Sequence, residues 1–445
     1  MLRTLLFALP FVFIALSFLI KKTRGLNWLV FAHAIINLGF ALPLYLNLGK
    51  DGYIDKMGLF AFLITAVIYL FVALYTLGSN NQRKLRANRL YSIFLMLFIS
   101  AMNAAFMAQD LSLIWIFVET TTIFSALLIS IENNQKSIAA AWKYLFICSV
   151  GIALAFVGIL LFVLAQPTDA TLKFELVNAA TLSPFWMKLS FVFILIGFGT
   201  KIGLAPMHFW LPDAYSAAPT PISALLSGAL MNAALLPLLR MEKIMQLARL
   251  GHIAQDMYLI MGFLSVFVAA VFMMKTTDFK RILAFSSIEN KGLIMIAFGL
   301  GGSAIGAGYM HILGHSLIKA ALFLVGGNIL SLYDSKDSCQ ISGLFSKNRN
   351  TAWLWLIGIV LILGFPPSPI FISKFFIFAS LLGKRYLIPF FTLLILFAFI
   401  AYRMISLSMG LCTGESRAKK NLNILRYLSP ALLLLIAAVM GIVGI

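Results

Sequence analysis

Residues 193–223 read FILIGFGTKIGLAPMHFWLPDAYSAAPTPIS. The stretch opens as an apolar helix, carries Lys201 in its interior, and then meets Pro206, Pro212, Pro219 and Pro221. A proline inside a helix removes a backbone hydrogen bond, and its ring clashes with the preceding turn. In lipid, the freed carbonyls are tolerated only when buried in protein or lining a wet cavity. Composition decides which solvent applies. Of 445 residues, 62% are hydrophobic and 11% charged, with a mean hydropathy of +0.99. A soluble domain is about 45–50% apolar and roughly 25% charged. An ordinary soluble enzyme, a disordered chain and a fibrous protein are excluded, and the segment reads as a broken helix in a bilayer.

Working outward, apolar runs of membrane-crossing length (about 17–25 residues) fall near 4–20, 26–47, 57–78, 90–108, 111–131, 137–165 and 187–209, then 220–240, 253–274, 280–300, 304–332, 353–380, 387–411 and 427–445. The fold class is all-α and polytopic, with about fourteen spans. A membrane barrel is excluded, because its strands alternate apolar and polar over about ten residues. No small-residue cleavage site precedes Lys21, so the first span is expected to be retained. No hydrophilic stretch is long enough for a soluble domain. Cys148, Cys339 and Cys412 lie far apart and form no CxxC pair, so neither a disulfide framework nor a metal site is expected.

The net charge of +19 would suggest nucleic acid in a soluble protein. Here the cations sort by side of the membrane instead. Loops after odd-numbered spans hold 18 Lys and Arg, among them Lys21, Lys22, Arg24, Arg83, Lys84, Arg86, Arg89, Arg417, Lys419 and Lys420. The opposite loops hold 10, including Lys50, Arg240 and Lys243. Cytoplasmic loops collect Lys and Arg, so both termini are expected on the outer face of the cell's inner membrane. The partners implied are the lipid bilayer and no nucleic acid.

Several ionisable residues remain inside the spans. A charge at mid-bilayer costs roughly 2.5–3.5 kcal/mol on insertion scales, so its presence asks for a role. Glu119 lies midway along LSLIWIFVETTTIFSALL, Lys143 in AAAWKYLFICS, and Lys201 before the proline break. The second half offers Glu289 in AFSSIENKGLIMI, Lys319 in HILGHSLIKAALF and Lys374 in GFPPSPIFISKFF. For Lys143, Lys291 and Arg403, a structural salt bridge or a snorkelling side chain is as good a reading. His311, His315 and Lys319 recur every four residues and so share one stripe of a helix. Histidine titrates near neutral pH, which suits a proton carrier better than a metal site, since no further ligand lies nearby in sequence.

The second break, at Pro366, Pro367 and Pro369, stands beside Lys374 as the first stands beside Lys201. In both halves the order is Glu, Lys, then Lys at a break, five spans apart. An odd number of spans per unit makes the units opposite in topology, the inverted-repeat plan of many transporters. The expected organisation is 1–89 as three N-terminal spans, 90–250 and 251–411 as inverted five-helix repeats (spans 4–8 and 9–13), and 412–445 as the last span. The seventh and twelfth spans are the broken ones.

The segment GTKIGLAPMHFWLPDAYSAAPTPISALLSGALMN closely resembles the signature of antiporter-like proton-translocating membrane subunits. That family includes subunits of respiratory complex I, membrane-bound [NiFe] hydrogenases, formate hydrogenlyases and multi-subunit Na+/H+ antiporters. DFKRILAFSSIENKGLI, HILGHSLIKAALF and the GFPP…SKF segment resemble its later motifs. The resemblance implies fourteen helices, two inverted five-helix repeats and broken seventh and twelfth helices. It places the fifth-helix glutamate on Glu119, the sixth-helix lysine on Lys143, the seventh-helix lysine on Lys201 and the twelfth-helix position on Lys374. Two positions depart from the pattern. Asn232 stands where many members carry an eighth-helix lysine, and Asp213, Ala214, Tyr215 stand where the family usually reads DAH.

The resemblance implies a proton-translocating subunit of a redox-driven complex, with other membrane-arm subunits and a peripheral redox arm as partners. Fe–S clusters, Ni–Fe, flavin or quinone would then sit on partner chains and no cofactor in this one. The alternative is a large subunit of a multi-subunit Na+/H+ antiporter. An independent symporter and a membrane scaffold are the readings outside these classes.

Overall fold

A computed structural model describes residues 2–46, 55–79, 83–167, 170–415 and 421–443. Lys50, Arg417, Lys419 and Lys420 of the loop count lie outside the described residues, as do the ends of the second and last spans. The helices in order are α1 (Leu2–Leu19), α2 (Thr23–Leu46), α3 (Lys56–Leu77), α4 (Leu85–Met107), α5 (Leu111–Ile129), α6 (Gln135–Leu164), α7 (Pro184–Ile202), α8 (Leu211–Ala217) and α9 (Thr220–Leu225). They continue as α10 (Met231–Leu247), α11 (Gly251–Met274), α12 (Phe279–Leu300), α13 (Ala304–Tyr333), α14 (Leu344–Lys347), α15 (Arg349–Leu363), α16 (Pro369–Gly383), α17 (Leu387–Cys412) and α18 (Leu425–Val443). A π-helical turn, Leu226–Leu230, joins α9 to α10.

Among the described residues there is no β-strand. Twelve helical segments among the described residues are long and apolar enough to cross a membrane. The N-terminal α1, and α15 with α16 taken as one interrupted crossing, bring the number to the fourteen expected. The protein is a polytopic all-α membrane protein.

Both breaks fall where the prolines put them. α7 stops at Ile202 with Gly203 in the left-handed region (φ 86°), and a short 3-10 turn, Met207–Trp210, leads into α8. Pro212 occupies the first turn of α8, where a missing N–H costs nothing. α15 stops at Leu363 with Gly364 at φ 89°, and Pro369 opens α16. Glycine tolerates positive φ, while a side chain there is strained. The Ala205–Pro206 and Pro366–Pro367 peptides are cis.

The chain divides into two compact units. The first comprises Met1–Gly203, Ala217–Ile222 and Ala229–Ala254; the second comprises Leu204–Ser216, Ser223–Gly228 and Gln255–Ile445. In the first, Asp110 caps α5 by accepting from the Ser112 and Leu113 amides, and pairs with Lys173 beyond α6. In the second, Asp278 caps α12 through the Lys280 and Arg281 amides and pairs with Asp337 beyond α13. Each cap satisfies amides that would otherwise be orphaned at a helix start.

Small residues bring backbones together where the charged side chains must meet. A Cβ on Gly197 of α7 would lie 2.5 Å from Ala155 Cβ, and one on Gly151 of α6 2.6 Å from Thr200 Cβ. Ser190 Oγ donates to the Gly158 carbonyl at 2.7 Å across the same interface. In the second unit, Gly262 of α11 and Gly292 of α12 approach each other's carbonyls in the same way. Small-residue contacts of this kind drive helix association in lipid, where no hydrophobic force acts between helices.

Candidate functional site

In the first unit, α5, α6 and α7 converge on Lys201, which is buried to 1% exposure. Its Nζ donates to Thr122 Oγ1 at 2.6 Å and to the Tyr144 hydroxyl at 2.7 Å. Glu119 stands one turn before Thr122 on α5. Its Oε2 lies 3.1 Å from Thr122 Oγ1, and its Oε1 accepts from Ser149 Oγ at 2.7 Å. Ser125 Oγ and the Tyr144 hydroxyl are 2.7 Å apart. The expected carboxylate–lysine pair is therefore joined through a hydroxyl, with Thr122 within reach of both charges.

Lys143 is exposed on α6. Tyr144 and Cys148 face the interior of the unit, and consecutive helix positions are about 100° apart, so Lys143 falls on the exposed face of α6.

In the second unit, the carboxylate and lysine touch directly. Lys374 Nζ lies 3.3 Å from Glu289 Oε1, and it also donates to the Leu363 carbonyl at 3.2 Å. That carbonyl is one of those freed where α15 ends, so the break supplies one of the lysine's contacts, beside the Phe397 ring 4.2 Å from its Nζ. Glu289 Oε2 receives Asn290 Nδ2 at 3.0 Å and Ser286 Oγ at 3.3 Å.

The row continues along α13. His311 Nε2 is 3.0 Å from Asn290 Oδ1, and its Nδ1 is 2.6 Å from Ser373 Oγ. Both Asn290 amide hydrogens are taken, by the Ser286 carbonyl and by Glu289, so its oxygen faces His311. A neutral His311 then carries its proton on Nε2 and accepts from Ser373 on Nδ1. His315 is fully buried, with Lys319, Lys291 and His311 the charged or titratable side chains around it. Neither of its ring nitrogens makes a formed hydrogen bond, although the Ser227 backbone lies nearby. Lys319 Nζ donates to the Leu283 carbonyl at 2.9 Å.

Three further groups extend what composition and spacing pointed to. Lys291 Nζ sits 3.2 Å from the Tyr215 hydroxyl, which donates to the Leu226 carbonyl at 2.8 Å. Tyr215 is the position that departs from the usual DAH pattern. Asn232 is buried in α10. Thr122, Tyr144, Ser149, Asn290 and Ser373 complete the connections, and residue type alone gave no signal for them. Pro206 and Pro212 flank the first break, and Pro366 and Pro367 form the exposed turn of the second. No group of three or more His, Cys, Asp or Glu side chains is placed to hold a metal ion among the described residues.

Residues 108–401 match the protein family described as NADH:quinone oxidoreductase/Mrp antiporter, TM. The chain is 34% identical over 397 residues to the hydrogenase-4 component F homolog of Methylacidiphilum infernorum (isolate V4), covering 84% of this chain and 82% of that one. It is 30% identical over 389 residues to Na(+)/H(+) antiporter subunit A1 of Staphylococcus aureus (strain bovine RF122 / ET3-1), covering 82% of this chain and 46% of the relative. Among solved structures, a chain of the membrane-bound sulfane sulfur reductase, an archaeal respiratory membrane complex, superposes with a TM-score of 0.89 at 21% identity, covering 99% of this chain and 94% of that chain. At that identity the likeness establishes the fold.

Proposed function

This chain belongs to the NADH:quinone oxidoreductase/Mrp antiporter transmembrane family, and from that premise we propose that it moves protons as a membrane-arm subunit of a redox-driven complex of hydrogenase or quinone-reducing type. The observation that carries the reading is the set of carboxylates, lysines and histidines held inside each of the two units. Glu119 and Lys201 stand in one unit; Glu289, Lys374, His311, His315 and Lys319 stand in the other. Such groups are costly in lipid and mark ion pathways by default.

The chemistry follows from distance and charge. A carboxylate close to an ammonium stabilises its charge, and withdrawing the carboxylate favours release of the proton. Thr122 lets Glu119 act on Lys201 through a hydroxyl, so a small shift of α5 or α7 changes how strongly the two are coupled. Lys374 feels Glu289 directly. Asn290, His311 and Ser373 offer a hydrogen-bonded line along which a proton can be handed on. Lys143, exposed on α6, is the group through which the first cluster would exchange protons with its surroundings.

The matched caps and breaks of α5–α8 and α12–α16 support two inverted repeats, spanning 90–250 and 251–411. Orientation by loop cations puts both termini outside the inner membrane. The energy enters from elsewhere, through membrane-arm neighbours and a peripheral arm that carries the Fe–S, Ni–Fe, flavin or quinone chemistry. The similarity to antiporter subunit A1 favours a second reading, a large subunit of a multi-subunit Na+/H+ antiporter.

The test is purification through a tag on this chain, followed by transport in vesicles. Co-purified metal-binding subunits, with proton movement on adding the electron donor, are the expected result. Recovery with small membrane subunits only, and Na+/H+ exchange without any redox substrate, would establish the antiporter.

A further inference from the structure

The N-terminal helices hold a polar line that the Glu/Lys/His row does not use. At one end, Asn88 Nδ2 of α4 donates to Asn27 Oδ1 of α2 at 3.2 Å, and Asn27 Nδ2 reaches the Thr76 carbonyl of α3 at 3.4 Å. Further along, His33 Nδ1 of α2 lies 3.0 Å from the Tyr69 hydroxyl of α3. These two contacts fix the antiparallel register of α2 against α3. Four residues forward on α2 and four back on α3, one turn on, Asn37 comes opposite Thr65. α4 runs alongside α2, and Asn103 lies roughly one to two turns beyond Asn37, about 1.5 Å being gained per residue.

These side chains are fully buried yet incompletely bonded. His33, Asn37, Thr65 and Asn103 are each at most 2% exposed. His33 Nε2, Asn37 Oδ1, Thr65 Oγ1 and both polar atoms of the Asn103 amide have no hydrogen-bond partner within the chain. Four helix positions chosen for packing in lipid would be apolar. Burying an amide or hydroxyl without a partner is unfavourable, and clustered orphan donors and acceptors of both kinds are the setting in which internal water is held. A metal fits poorly, since the set has no carboxylate or thiolate.

We propose that α2, α3 and α4 enclose a hydrated site in which water bridges His33, Asn37, Thr65 and Asn103, giving the N-terminal helices a proton-accessible histidine separate from the central row. Phe13 of α1 closes over His33 with its ring edge-on at 5.2 Å. The titratable groups facing the site are Tyr69 from α3 and Tyr91 from α4, with Arg83 4.4 Å above the Tyr91 ring. The site stands whether or not the chain pumps protons, because its evidence is hydrogen-bond geometry alone.

The experiment is radiolytic hydroxyl-radical labelling of the intact purified complex, read by mass spectrometry at Tyr69 and Phe13. Radicals formed in enclosed water label buried rings beside it. The expected result is clear labelling of Tyr69 in the native protein and its loss in the Asn37→Leu/Thr65→Val variant. Thr65→Val alone keeps the side-chain shape, should fold, and should lower both the labelling and the melting temperature. Unlabelled Tyr69 in the native complex, labelling unchanged in the double variant, or a melting temperature raised by Thr65→Val would each overturn the proposal. The last would mean that the orphan atoms are dry.

Discussion

The two carboxylate–lysine sites solve the same problem differently. In the first unit, Glu119 and Lys201 are spaced by Thr122, and the lysine donates to two hydroxyls, at 2.6 and 2.7 Å. In the second, Glu289 holds Lys374 at 3.3 Å and the broken helix adds a carbonyl. A direct buried pair is strongly destabilised by losing one partner. A hydroxyl-spaced pair is less tightly bound and easier to separate. On our proposal the first site is the adjustable one and the second the clamp.

The largest effect expected from that contrast is on the clamp. Glu289→Gln leaves Lys374 without its carboxylate, and breaking a buried pair costs about 3–5 kcal/mol. Reduced assembly, measured as recovery of intact complex, should follow, and Lys374→Met in the same chain should restore part of it. Equal recovery of the single variant and wild type would break the contrast. Next comes the spacer. Thr122→Val keeps the shape and removes the shared hydroxyl, at about 1 kcal/mol per net hydrogen bond. Substrate-driven proton movement in vesicles should fall roughly fivefold to tenfold, with assembly unchanged.

A smaller loss is expected for Tyr144→Phe. Lys201 keeps Thr122, and Ser125 loses a contact at 2.7 Å that it can replace with the Thr121 carbonyl it already meets. Proton movement should drop by less than for Thr122→Val, and a larger drop would make the phenol the main partner. The smallest effect is Lys347→Ala. That lysine sits 4.0 Å above the Tyr333 ring, a partly exposed contact worth about 0.5–1 kcal/mol. Transport should be unchanged while thermal stability falls slightly.

Sequence carried the architecture because lipid imposes it. Runs such as 57–78 and 253–274 can be nothing but crossings, and the prolines near Lys201 and Lys374 mark the breaks. The charged members of both sites were legible for the same reason, since their cost in lipid makes them conspicuous. Thr122, Ser149 and Ser373 were not, because hydroxyls can bond back to their own helix and so carry no penalty that reveals them. Facing was also hidden. Lys143 stands next to inward-facing Tyr144, and the stripe of Ala140, Tyr144, Cys148 and Ile152, all buried, was the available signal that Lys143 looks the other way. By sequence, Lys291 suits a structural salt bridge as well as a functional role. Its contact with Tyr215, itself a departure from the family pattern, joins two residues that sequence treated separately.

The central claim is that Glu119 governs Lys201 as one unit. The direct measurement is proton movement in vesicles by the assembled, substrate-driven complex in Glu119→Gln, Lys201→Ala and the double variant, with assembly verified first. Each single variant should suppress proton movement strongly, and the double variant should be scarcely worse than either, because both residues serve one step. Normal pumping by an assembled Glu119→Gln complex would show that the carboxylate is structural and that the proton travels by another route.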